Sequence, residues 1–161
     1  MKKLSTLIFA VIFAVITVAA AQTSTAAKPR TAAQLKKILM SDYSLPTNAK
    51  VISIGMVNND EENNFQLVQV TRFWSLPYSP VQHSRYDLVV FEGDKVVGCY
   101  SNFIENKPLI NGCKATFNGI DSSLGNEIDF ADGVPLMVRI AGETYSFKDV
   151  DFVSPAYEAE E

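Results

Sequence analysis

The dipeptide Gly93-Asp94 separates two runs rich in β-branched and aromatic residues, 86–92 and 95–100. Glycine reaches positive φ without a Cβ clash and Asp tolerates it, so the pair predicts a two-residue hairpin turn of the primed type. Counting outward, Glu92 faces Lys95, Phe91 faces Val96, Val90 faces Val97 and Leu88 faces Cys99. Glu92 and Lys95 form an opposite-charge cross-strand pair, worth roughly 0.2–1 kcal/mol. In this register one face carries Leu88, Val90, Val97 and Cys99, and the other Val89, Phe91, Val96 and Tyr100. Both faces are apolar, which predicts a central hairpin covered on both sides.

The two cysteines, Cys99 and Cys113, are equidistant from Asn106, where Glu105-Asn106-Lys107 followed by Pro108 suits a chain reversal. A hairpin folded there would set them opposite each other, with Cys113, Ala115 and Phe117 on the face of Cys99. A disulfide closing so short a loop would stabilise by about 3 kcal/mol in the chain-entropy model. Neither a C-x-x-C spacing nor a lone thiol argues for a catalytic cysteine, so the expectation is a structural Cys99–Cys113 bridge. Asn111-Gly112 competes with it, offering a turn just before Cys113.

Residues 1–21 read as a secretory signal of bacterial style. Lys2 and Lys3 precede an apolar run from Leu7 to Ala20, and Ala19-Ala20-Ala21 gives a small-x-small cleavage site before Gln22. The run is short for a membrane span, and no cysteine follows it to carry a lipid, so no stable membrane anchor is expected after cleavage. The predicted destination is the periplasm or the exterior, which permits disulfides. Cleavage leaves 140 of the 161 residues, with 12 of the 14 basic side chains and all 18 acidic ones, a net charge near −6. That length suits one domain. An acidic chain with no basic cluster is a poor nucleic-acid binder.

Residues 22–30 read as a flexible leader, 31–153 as a single domain and 154–161 as an acidic tail. Thr31 and Gln34 make a T-x-x-Q capping box, after which Ala32, Leu35, Ile38, Leu39 and Tyr43 share one helical face until Leu45-Pro46 ends the helix. Strands are predicted from Lys50 to Val57, with Gly55 a candidate bulge, and from Phe65 to Trp74. The polar run 58–64 reverses the chain between them, and 75–84 forms a loop holding Pro77 and Pro80. Residues 127–130 suit a short strand. In the last hairpin, turned at Ala141-Gly142, Leu136, Val138, Ile140, Tyr145 and Phe147 point inward. Met137, Arg139, Thr144, Ser146 and Lys148 point outward. One helix followed by strands predicts an α+β fold: an N-terminal helix packed on an antiparallel sheet of about six to eight strands, with a small β-barrel as the rival.

Catalytic signatures are sparse. His83 is the single histidine, and it reads as a loop residue rather than as a base or a zinc ligand. The acidic groups Asp121, Glu127, Asp129, Asp132 and Asn58, Asp60, Glu61, Glu62 lack the spacing of a calcium loop, so no metal and no cofactor are expected. The aromatic stretch Phe73, Trp74, Leu76, Pro77 and Tyr78 is the better candidate for a binding site, because Trp and Tyr give large contact area at low entropy cost. The plainer reading is that Phe73 and Trp74 end a core strand.

These features predict a non-enzymatic, exported soluble binding protein. It would inhibit a secreted enzyme or carry a small apolar ligand, its partner being a protein or that ligand. A hydrolase relying on carboxylates alone, and a structural or self-associating surface protein, are the alternatives.

Overall fold

A computed structural model describes residues 28–59, 63–75, 78 and 80–152. The signal at 1–21, most of the leader, Leu76, Pro77 and the tail lie outside the described residues. The class is α+β, with one α-helix and nine strands among the described residues.

Helix α1 (Ala32–Asp42) starts at Thr31, whose capping box with Gln34 is formed in both directions. Leu35 and Leu39 are fully buried, and Ile38 and Tyr43 pack beside them. Ser44 turns the chain out of the helix at φ 55°, and the Leu45 amide donates back to the Leu39 carbonyl. The helix is moored at its start. Gln66 bonds both the N–H and the C=O of Arg30, at 2.9 and 2.8 Å, and Arg30 is ion-paired with Asp94.

The main sheet is antiparallel and curls into a half-barrel. Its strands are β1 (Lys50–Asn58), β2 (Asn64–Ser75), β3 (Gln82–Glu92), β4 (Lys95–Phe103), β8 (Met137–Ile140) and β9 (Glu143–Lys148), in the order β1-β2-β3-β4-β9-β8. A smaller sheet, β5 (Leu109–Asn111), β6 (Lys114–Thr116) and β7 (Glu127–Asp129), sits between the two edges, β5 against β1 and β7 against β8.

Three register shifts bend the main sheet. One falls between Ser53 and Gly55, as the glycine suggested. Gly55 also lets β5 close in, since a Cβ there would lie 3.0 Å from Ile110 Cγ1. The other two lie between β3 and β4. Each inserts an extra residue on one strand, which raises the local twist and curls the sheet.

The central hairpin turns at Gly93-Asp94, and Glu92–Lys95 and Phe91–Val96 pair as counted. Beyond that the count fails by one, because Val90 faces Gly98, Val89 faces Cys99 and Leu88 faces Tyr100. Cys99 and Tyr100 therefore exchange the faces assigned to them. The extra residue is Val97, and Gly98 follows it. A Cβ there would meet the Phe147 ring at 2.6 Å and the Lys148 carbonyl at 2.7 Å, so only glycine admits β9 this close to β4.

Both faces are covered, as expected. Val68, Val70, Val89, Phe91, Val96 and Cys99 lie under α1 and Phe152. On the concave side, Leu67, Leu88, Val90, Tyr100 and Phe103 meet the small sheet's Ala115, Phe117, Ile128 and Phe130. Val138, Ile140 and Tyr145 of the last hairpin join this core. Leu136 does not: it precedes β8 and is 76% exposed, correcting its inward assignment.

The expected disulfide is not formed. The chain reverses one residue later than the competing Asn111-Gly112: Asn111 pairs with Lys114, Gly112-Cys113 links β5 to β6, and β4 pairs with β9. Cys99 is buried in the helix-side core, and Cys113 belongs to the other sheet. Its carbonyl accepts from the Phe130 amide, and its thiol bonds Asp129.

Candidate functional site

Strands β2 and β3 pair without interruption from Phe65–Glu92 to Ser75–Gln82, so the loop between them is shorter than 75–84 and His83 stands on a strand. Side chains alternate along a strand, so every second rung of this ladder faces α1. Those rungs read Val68–Val89, Val70–Asp87, Arg72–Arg85 and Trp74–His83. The surface thus changes from apolar beneath the helix to charged and then aromatic at the rim.

Asp87 is only 1% exposed and Arg72 only 6%. Arg72 donates from Nε at 2.9 Å, and its Nη2 lies 2.8 Å away, both toward Asp87 Oδ2. Asp87 Oδ1 accepts from the Asn102 backbone N–H at 3.1 Å. Asn102 reaches it by adopting φ 55° beside the second irregularity of β3 and β4. Burying an ion pair is costly unless its hydrogen bonds are made, and here they are. Phe152 lies over the Arg72 guanidinium, 5.2 Å from ring centroid to Cζ, in cation–π geometry.

Arg85 is the unbalanced member. Its Nε approaches Asp87 Oδ1 to 3.4 Å, yet it is buried and makes no hydrogen bond. Next along the ladder, Trp74 and His83 stack with centroids 5.6 Å apart and planes at 17°.

Cys99 borders this cluster, with Sγ 3.4 Å from Ser101 Oγ. Burial pushes the thiol's pKa up, with Ser101 opposing, so the sulfur stays protonated and a poor nucleophile. Beyond Tyr100 the pairing of β4 with β9 stops, having covered only Cys99–Lys148 and Tyr100–Phe147. The strands part around a half-open groove of about 240 Å³ lined by Ser101, Asn102, Glu143, Tyr145, Ser146 and Lys148. Burial first, and Glu143 second, push the Tyr145 hydroxyl up to about 12.

The predicted aromatic site is divided. Trp74 faces the helix side, and Phe73, its neighbour on β2, faces the concave side. Both are half-buried, whereas Tyr78 is fully exposed at φ 67°. The acidic residues near β7 have local tasks. Asp121 caps the 3-10 turn Ser122–Leu124, and Lys114 pairs with Glu127 at 2.6 Å and Asp129 at 3.4 Å. The Ala131 amide holds the Asp129 carboxyl below its usual range.

Sequence reasoning missed Arg72, Arg85 and Asp87. The usable signal was the alternation on both strands, apolar and then charged at matching distances from the loop. Treating 75–84 as one loop hid that match.

Comparison of the chain with family models, curated proteins and solved structures finds no match. The function is therefore argued from the site.

Proposed function

We propose that this chain is an exported binding protein that recognises its partner through the rim where β2 turns into β3, with Trp74, His83 and Tyr78 as the contact residues. The observation that carries the reading is the Trp74–His83 stack, two aromatic side chains already held parallel at a strand end. Tyr78 stands fully exposed beside them in sequence. Aromatic groups fixed before binding lose little entropy on contact, which is how interface anchors gain affinity. Export rests on the signal-like residues 1–21.

A surface site is favoured over an internal carrier site. The concave side of the half-barrel, where an apolar ligand would sit, is occupied by Ala115, Phe117, Ile128 and Phe130. The carboxylate-hydrolase alternative has less support. Asp87, the buried acid of this surface, has both oxygens engaged, by Arg72 and by the Asn102 amide.

The test is affinity capture from periplasmic and extracellular extracts, with the wild type and the Trp74→Ala/Tyr78→Ala variant as baits. A partner retained by the wild type and lost by the folded variant is the expected result. A partner held equally by both would move the contact surface elsewhere. Sedimentation at rising concentration would expose self-association instead.

A further inference from the structure

We propose that Arg85 is the anchor of an anion subsite that takes a small organic monocarboxylate with a planar body. This site adjoins the rim and shares Trp74 and His83 with the proposed recognition surface, but it is tested with small ligands and needs no partner.

The argument begins with charge. Arg72, Arg85 and Asp87 bring two cations and one anion to adjoining rungs of one sheet face. Asp87 is shared: Arg72 takes Oδ2, while Oδ1 accepts from the Asn102 amide and is ion-paired with Arg85. Arg85 is left near Asp87 at 3.4 Å without a hydrogen bond, its Nε buried and its side chain 25% exposed. A guanidinium has five donors in a planar fork, and the buried Nε of Arg85 makes no hydrogen bond, only the long ion pair with Asp87. A carboxylate matches that fork with two parallel bonds, stronger than neutral ones.

The surroundings narrow the ligand further. Arg72, Arg85 and Asp87 together carry one surplus positive charge, and the chain is acidic overall. Both conditions favour a monoanion over a phosphate dianion. Two residues along β3 from Arg85, about 7 Å on the same face, His83 stacks on Trp74. Both rings are half-buried, and the ring or conjugated chain of a ligand whose carboxylate reaches Arg85 would pack against them. The groove at Ser101 and Asn102 opens beside the same cluster, because Asn102 both lines it and donates to Asp87.

Trp74 is the sole tryptophan, so its emission reports on this position alone. The experiment titrates the folded protein with benzoate, with the uncharged isostere benzamide and with inorganic phosphate, following Trp74 emission and calorimetric heat in parallel. Saturable binding of benzoate, weaker by tenfold or more for benzamide and for phosphate, is the expected result. Arg85→Gln should lose at least tenfold in benzoate affinity. Arg85→Lys, which keeps the charge and loses the fork, should fall between. Circular dichroism checks that both variants fold, and the lysine variant still decides the matter if the glutamine variant does not. Benzamide binding as well as benzoate, or an unchanged affinity in the variants, would overturn the assignment. So would phosphate binding in preference to benzoate, and so would no saturable signal or heat with benzoate.

Discussion

Asp87 shows how one buried charge is made tolerable. Its carboxylate is out of water, so its stability rests on Arg72 and the Asn102 amide. Removing one partner of a buried pair leaves the other charge uncompensated, typically at a cost of about 3–5 kcal/mol. Asp87→Ala is therefore expected to destabilise by that order in denaturant unfolding. The double variant Arg72→Met/Asp87→Leu should recover only part of the loss, because the apolar pair carries no desolvation cost while Arg85 and the Asn102 amide still lose Asp87. If Asp87→Ala unfolds at the wild-type midpoint, the pair does not support the fold. Residue types alone gave little sign of this network. Arg72 and Asp87 are separated by a loop in the sequence, and their contact follows from the register of β2 on β3.

The hairpin of β3 and β4 shows how one extra residue redirects a strand. The turn at Gly93-Asp94 and the first two rungs follow from counting alone. The extra residue Val97 then moves Cys99 to the helix side and Tyr100 to the concave side, where its hydroxyl donates to the Pro135 carbonyl at 2.6 Å. With Cys113 on the turn of a different sheet, no bridge to Cys99 is made. Protein purified without reductant and then unfolded should accordingly yield two titratable thiols per chain. Reducing agent should leave its unfolding midpoint where it was. A single chain that yields no thiol, and that loses stability on reduction, would restore the disulfide. The last hairpin contrasts with this one. Val138–Tyr145 and Ile140–Glu143 pair as the alternation predicts, because nothing interrupts that ladder.

In the molecule as a whole, strands β2 to β4 are shared by two cores. The helix covers one with Leu35 and Leu39, and the small sheet fills the other with Phe117, Ile128 and Phe130. Strands buried on both faces cannot lose one cover without exposing apolar surface, so the two cores should unfold together. Phe117→Ala removes a fully buried ring and is expected to cost about 3–5 kcal/mol. Leu35→Ala, on the opposite side, should cost about 2–5 kcal/mol. Both variants should still unfold in one transition, with circular dichroism and Trp74 fluorescence coincident. Separate transitions for the two probes would show that the small sheet and the helix layer are independent units.

The α+β class, the capped helix, the hairpin turns and the bulge at Gly55 were legible in the order of residues. Each depends on interactions within a few positions: a cap, a turn dipeptide, an alternation. The faces of Cys99 and Tyr100, the closing of the half-barrel by β5 to β7, the Arg72–Asp87 pair and the unbalanced Arg85 were not legible. They depend on how strands meet: the extra Val97 in β4, the register of β2 on β3, and the close approach of β5 at Gly55 to Ile110. Such approaches are set by packing between segments distant in the chain, and local pattern carries no record of them.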